Sequence, residues 1–117
     1  MTTILQEAHQ KAKEAAAEAA QDFLDVNLDG KDNYPCGFAW VTFTPQNKGN
    51  TRDGKDERRM FEALGYRKDY TGKSWTLWNP SDNHCQNVDA KYAGARAYAD
   101  TFLAETGIKV YASERLD

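Results

Sequence analysis

The sequence predicts an α+β domain of the ferredoxin-like, split βαβ kind: a four-stranded antiparallel sheet with two helices on one face, preceded by an extra long N-terminal helix. Three observations predict it. Runs that alternate with period two and carry aromatic or β-branched residues fall at 37–44, 66–70, 73–78 and 109–113. Stretches with apolar residues every three or four positions fall at 53–64 and 87–105, which gives the order strand, helix, strand, strand, helix, strand. An alanine-rich helical pattern at 3–24 stands ahead of that series. The chain divides into an N-terminal helix, residues 1–26, and an α+β unit, residues 36–117, within one compact domain.

Composition narrows the function classes. A length of 117 residues with 40% hydrophobic content supports a single core and not two. The 15 basic and 18 acidic residues leave a net charge of -3, which argues against a dedicated duplex-DNA binder that neutralises many phosphates but allows a local basic site. No apolar run reaches the roughly 18 residues of a membrane span, and no hydrophobic leader opens the chain, so the expectation is a cytosolic protein. Cys36 and Cys85 do not form a disulfide framework and read as free thiols in a reducing compartment.

In the first helix, Thr3 and Gln6 have the spacing of a capping box, and Leu5, Ala8, Ala12, Ala15 and Ala19 form a narrow stripe anchored by Phe23 and Leu24. Such a seam suits close approach to another surface, either the open face of its own sheet or a second copy of the chain. Residues 25–36 place Asp25, Asn27, Asp29 and Gly30 at the first, third, fifth and sixth positions of an EF-hand loop. Cys36 then takes the position of the bidentate glutamate and Pro35 opposes an exiting helix, so an Asn/Asp/Gly turn is the expected reading. On the first strand, Phe38, Trp40 and Thr42 share one face and Ala39, Val41 and Phe43 the other, which marks a central strand. The second helix buries Met60, Phe61 and Leu64 and ends at Gly65. Thr71 and Gly72 form a tight hairpin between the second and third strands. Along the third strand, KSWTLWNP, Trp75 and Leu77 face one way while Thr76 and Trp78 face the other, and Pro80 ends it. The third helix carries a stripe of Val88, Tyr92, Ala95, Ala99 and Phe102 and ends at Gly107, and a charged tail begins at Glu114.

The loop QNKGNTRDGK is the candidate anion site, because Lys48, Asn50, Arg52, two glycines and the free N–H groups of a helix start converge there. It lacks the GxxxxGK[ST] spacing of a P-loop, and a solvated loop with an N-cap is the favoured reading of the stretch. His84 beside Cys85 has neither the paired spacing of a zinc site nor a recognisable nucleophile motif, so no metal, cofactor or catalytic residue is expected. The acids on the second helix, Asp53, Asp56, Glu57 and Glu62, interleave with Lys55, Arg58 and Arg59 as a solvated, ion-paired face. The aromatics are more suggestive. If the N-terminal helix leaves the sheet uncovered, Trp40, Trp78 and Tyr111 are available to stack on bases, although the RNP consensus is absent.

The tracts PCGFAWV, KGNTRDG, SWTLWNPS, AKYAGARAYAD and YASERLD together resemble a group of small proteins encoded by tailed bacteriophages. The likeness covers most of the chain from Tyr34 onward and carries no active-site signature. It implies a phage protein in the host bacterial cytoplasm. The leading expectation is a non-enzymatic accessory protein, a homo-oligomer with no membrane association, that binds a host protein or a nucleotide-like ligand. Lys48, Asn50 and Arg52 then meet the phosphate or acidic group, and Trp78, Asn79 and Ser81 meet the base or partner surface. The alternative is nucleic-acid binding by the sheet face, and a small Cys/His enzyme is the third reading.

Overall fold

The structure is a computed structural model and describes residues 2–28, 37–82 and 88–116. Helix α1 (Thr2–Leu28) is followed by strand β1 (Gly37–Phe43), helix α2 (Arg52–Ala63), strands β2 (Arg67–Lys68) and β3 (Trp75–Trp78), helix α3 (Val88–Thr106) and strand β4 (Tyr111–Leu116). The strands form one antiparallel sheet in the order β2-β3-β1-β4. β1 is central, as its two-sided apolar pattern predicts. The expected charged tail is instead part of β4, which pairs along β1 from Thr42↔Tyr111 to Gly37↔Leu116.

The core lies on one side of the sheet. Phe43 of β1 stacks on Phe61 of α2 at 3.6 Å between ring centroids, and Phe61 meets Tyr66 and Phe102 edge-on. Val41, Ala39 and Trp75 complete that face under the helices. α2 stops as its sequence predicts: Gly65 takes φ +106, and the N–H groups of Gly65 and Tyr66 return to the carbonyls of Glu62 and Phe61. That pairing is the Schellman arrangement, which a residue with a Cβ resists. The β2–β3 turn is longer than the two residues expected. Asp69 accepts from the N–H groups of Thr71 and Gly72 and from the Thr71 hydroxyl, so its carboxylate organises the turn and Gly72 supplies φ +74.

α1 docks within its own chain, on α3, and neither covers the sheet nor needs a second copy to bury its seam. It begins at Thr2, so Thr3 lies inside the helix and is not its cap. The buried seam is Leu5, Ala8, Ala12, Ala16, Ala20 and Leu24; Ala15 and Ala19 of the expected stripe lie to its side. A row of i, i+4 residues turns by about 40° per step around the helix, so this seam is slanted where an alternating three-four stripe is straight. α3 consequently buries two sides. Tyr92, Ala95, Ala99 and Phe102 contribute to the sheet-side core, while Ala90 packs with Leu24 and Gly94 lies against α1. A Cβ at Gly94 would come within 3.0 Å of the Ala16 carbonyl oxygen and 2.7 Å of the Ser81 Cβ, so only glycine allows this approach.

The turn expected over residues 25–36 does not begin at Asp25: α1 continues to Leu28, so Asp25 and Asn27, the first two matches to a calcium loop, are helical. The Asp25 carboxylate accepts from the Gln21 amide. Asp29, Gly30, Pro35, Cys36, His84 and Cys85 lie outside the described residues.

Candidate nucleic-acid interface

All three helices lie on one side, and among the described residues no element covers the opposite face of the sheet. Register sets its composition, since directly paired residues of antiparallel strands point to the same side. Trp40 pairs with Trp78 and Ser113, Phe38 with Arg115, Thr42 with Thr76 and Tyr111, and Thr76 with Arg67. None of these residues is acidic; Glu114, opposite Ala39, belongs to the covered side. A chain with net charge -3 thus presents a strand face on which, among the described paired residues, the ionised groups are cationic.

The rings form a connected group. Trp40 and Trp78 lie 4.8 Å apart, inclined by 37°, and Phe38 meets Trp78 edge-on at 6.0 Å. Trp78 is 52% exposed and Tyr111 55%. Tyr111 sits two residues from the Trp40 level on the neighbouring strand, about 7–8 Å away on the diagonal. The rings therefore step across three strands, Trp78 on β3, Trp40 on β1 and Tyr111 on β4. Cations sit over the rings at both ends: Arg115 and Lys91 over Phe38 at 5.9 and 5.7 Å, and Lys109 over Tyr111 at 5.1 Å. Among the described residues, none of Arg67, Lys91, Lys109 and Arg115 forms an ion pair with a carboxylate.

The six residues expected to form one site do not converge. Asn79 leaves β3 level with Ala39, to whose carbonyl it donates at 2.9 Å, whereas the loop carrying Lys48, Asn50 and Arg52 follows Phe43. Four residues of strand separate those levels, about 13 Å. Trp78 is on the open face, but Asn79 and Ser81 build the turn after β3. Asn79 adopts φ +46, Asp82 donates its N–H to the Asn79 carbonyl, and the Ser81 hydroxyl donates to the Asn79 side chain at 3.0 Å. Ser81 is buried against Gly94.

The loop before α2 already holds an anion, its own Glu57. That carboxylate accepts from the backbone N–H groups of Gln46 and Asn47 at 2.9 and 3.1 Å, and Arg58 donates to the carbonyls of Asn47 and Gly54. Thr51 caps α2 by accepting from the Gly54 N–H. Gly54 is required by close packing, since a side chain there would strike the Lys48 carbonyl. Lys48 and Asn50 are exposed on this loop and Arg52 at the first position of α2, while the N–H groups of Gln46 and Asn47 are taken by Glu57.

A groove of about 1310 Å³ lies between α2 and the start of β4, with Met60, Phe61, Ile108 and Tyr111 in its walls. Asp53, Asp56, Glu57 and Glu105 line it against Arg59 and Lys109, a balance that disfavours an anionic ligand. Among the described residues no group of three or more His, Cys, Asp or Glu side chains could hold a metal ion, and no helix is long and apolar enough to cross a membrane. No family model, curated protein or solved structure matches the chain. Fold and face together define an α+β protein with one uncovered, aromatic and cationic sheet face.

Sequence reasoning reached Trp40, Trp78 and Tyr111 on this face, and Phe38 on the Trp40 side of its strand, but not Arg67 and Arg115 as their partners. The alternation Tyr111, Ser113, Arg115 was available as a signal. Reading the last residues as a tail concealed it.

Proposed function

We propose that this chain is a non-enzymatic binding protein whose open sheet face takes single-stranded nucleic acid. Strand order β2-β3-β1-β4, with a helix after β1 and another after β3, supports the ferredoxin-like, split βαβ reading of the fold. The observation that carries the function is the composition of the open face: exposed Trp78 and Tyr111 rings beside cations that form no ion pair among the described residues, with no acidic residue at the paired strand positions of that face. Rings provide a stacking surface for unpaired bases of any sequence, and cations track the phosphates. A duplex offers neither splayed bases nor a groove suited to a broad sheet, which agrees with the low overall basicity.

The same face serves a free nucleotide less well. One mononucleotide covers one ring, whereas the rings span three strands and the flanking cations stand at both ends. In the phage setting that the sequence tracts imply, the ligand is a single strand in the bacterial cytoplasm. Titration of the protein with oligo(U) or oligo(dT), read by tryptophan fluorescence, tests the reading. Quenching that saturates and weakens steeply with salt is expected. Absence of quenching, or binding indifferent to salt, overturns it.

A further inference from the structure

We propose that His9 is a pH-sensitive latch, holding the N-terminal half of α1 on α3 while its imidazole is neutral and releasing that half on protonation. The inference is independent of the sheet face and rests on a chain of three polar side chains crossing the core. His9 Nδ1 lies 2.6 Å from the Tyr98 hydroxyl, and the Tyr66 hydroxyl donates to Tyr98 at 3.0 Å. Both tyrosines are fully buried. Both buried hydroxyl protons find an acceptor only when Tyr66 donates to Tyr98 and Tyr98 to His9, which then accepts through an unprotonated Nδ1 and carries its own proton on Nε2.

Protonating the ring breaks this count. An Nδ1–H must donate to Tyr98, whose own proton then turns to Tyr66, and the Tyr66 proton has no acceptor among the described residues. If Tyr66 keeps its direction, the orphaned proton is that of Tyr98. Either way one buried hydroxyl is left without a partner, which the docked state resists. Neither phenol can relieve the clash by ionising, because burial drives both tyrosines well above the ordinary range.

The charges around His9 agree. Burial is the main cause that lowers its pKa below 6.5; Lys13, one turn along α1, lowers it further, and Asp82, in the segment after β3, raises it. Lys13 and Asp82 form an ion pair, so their effects on the ring partly cancel. On the α3 side the contact is Tyr98, while Glu105 is engaged by Lys11.

α1 is suited to release because its seam is largely alanine, with Leu5 the one larger anchor in its N-terminal half. A lowered folded-state value means that the released helix binds a proton more readily. The docked state is fully favoured above about pH 6.5. Below that, down to the docked pKa, the docked-to-released ratio falls about tenfold per pH unit.

Hydrogen exchange read by mass spectrometry on the intact chain, corrected for intrinsic rates, tests the latch from about pH 8 to about pH 5, across the ordinary histidine range. Expected is a progressive loss of protection in α1 while amides of β1 and β3 keep theirs. His9→Gln retains an acceptor for Tyr98 but cannot titrate, so its α1 protection should be flat with pH. Tyr98→Phe should loosen α1 already at neutral pH. Protection of α1 that is flat in the parent protein, that declines identically in His9→Gln, or that falls in step with β1 overturns the proposal.

Discussion

On the covered side of β1, Ala39, Val41 and Phe43 lie at 2% exposure or less beneath α3 and Phe61, whereas on its other side Phe38 remains 38% exposed beside a half-exposed Trp78. The two faces are similar in apolar content and differ in what is laid over them. On one, Phe43 and Phe61 stack with parallel planes in a packed interior. On the other, the rings meet each other and the charged heads of Arg115, Lys91 and Lys109. Alternation along a strand therefore reports that a face is apolar, not that it is covered. An uncovered apolar face costs solubility, and a large exposed patch of this kind marks an interaction surface.

Substitutions on the two faces should separate stability from binding. Phe61→Ala should cost the most, about 3–5 kcal/mol in denaturant unfolding, since it empties the contact with Phe43, Tyr66 and Phe102 together. A loss near zero would mean that the covered face is not the core. In the helix layer above that face, Gly94→Ala should cost about 1–3 kcal/mol by forcing α1 and the Ser81 turn away from α3. Unchanged stability there would show that the close approach is not maintained in solution.

The open face should respond in the opposite way. Trp78→Ala should weaken binding of a short oligonucleotide by about 1–3 kcal/mol, the worth of a stacked base. Its effect on unfolding should be smaller, less than about 1 kcal/mol, because only cross-strand contacts are lost. If stability falls while binding stays, the two faces have been assigned the wrong roles. The smallest effect is expected for Arg115→Ala, which should reduce the slope of log affinity against log salt by about 0.7 if its guanidinium neutralises one phosphate of a single strand. An unchanged slope removes Arg115 from the phosphate path and leaves the rings to account for affinity.

Much of the architecture was legible because its signals are local. The period of two in GFAWVTF, the glycine closing α2, and the proline after KSWTLW each act within a few residues of themselves. The site was legible only in part. Trp40, Trp78 and Tyr111 could be placed on strands, but their cationic neighbours come from β2 and from the end of β4, which register alone brings alongside. The anion-site reading of the loop could not foresee that a carboxylate eleven positions from Gln46 in the chain, Glu57, returns to take the N–H groups of Gln46 and Asn47. Asn79 and Ser81 read as meeting a base or partner surface beside a tryptophan, yet Asn79 builds the turn after β3 and Ser81 is buried against Gly94.

The sequence by itself determined the succession of helices and strands and which residues share each face, because hydrogen bonding and side-chain direction repeat over short distances along the chain. Tertiary structure alone decided that α1 lies on α3, that one face of the sheet stays open, and that His9 meets Tyr98 across 89 positions of sequence. Those outcomes depend on competition between surfaces distant in the chain. Alanine at Ala12 and Ala16 opposite a glycine at Gly94 permits helix-to-helix approach closer than the broad rings of the open face would allow.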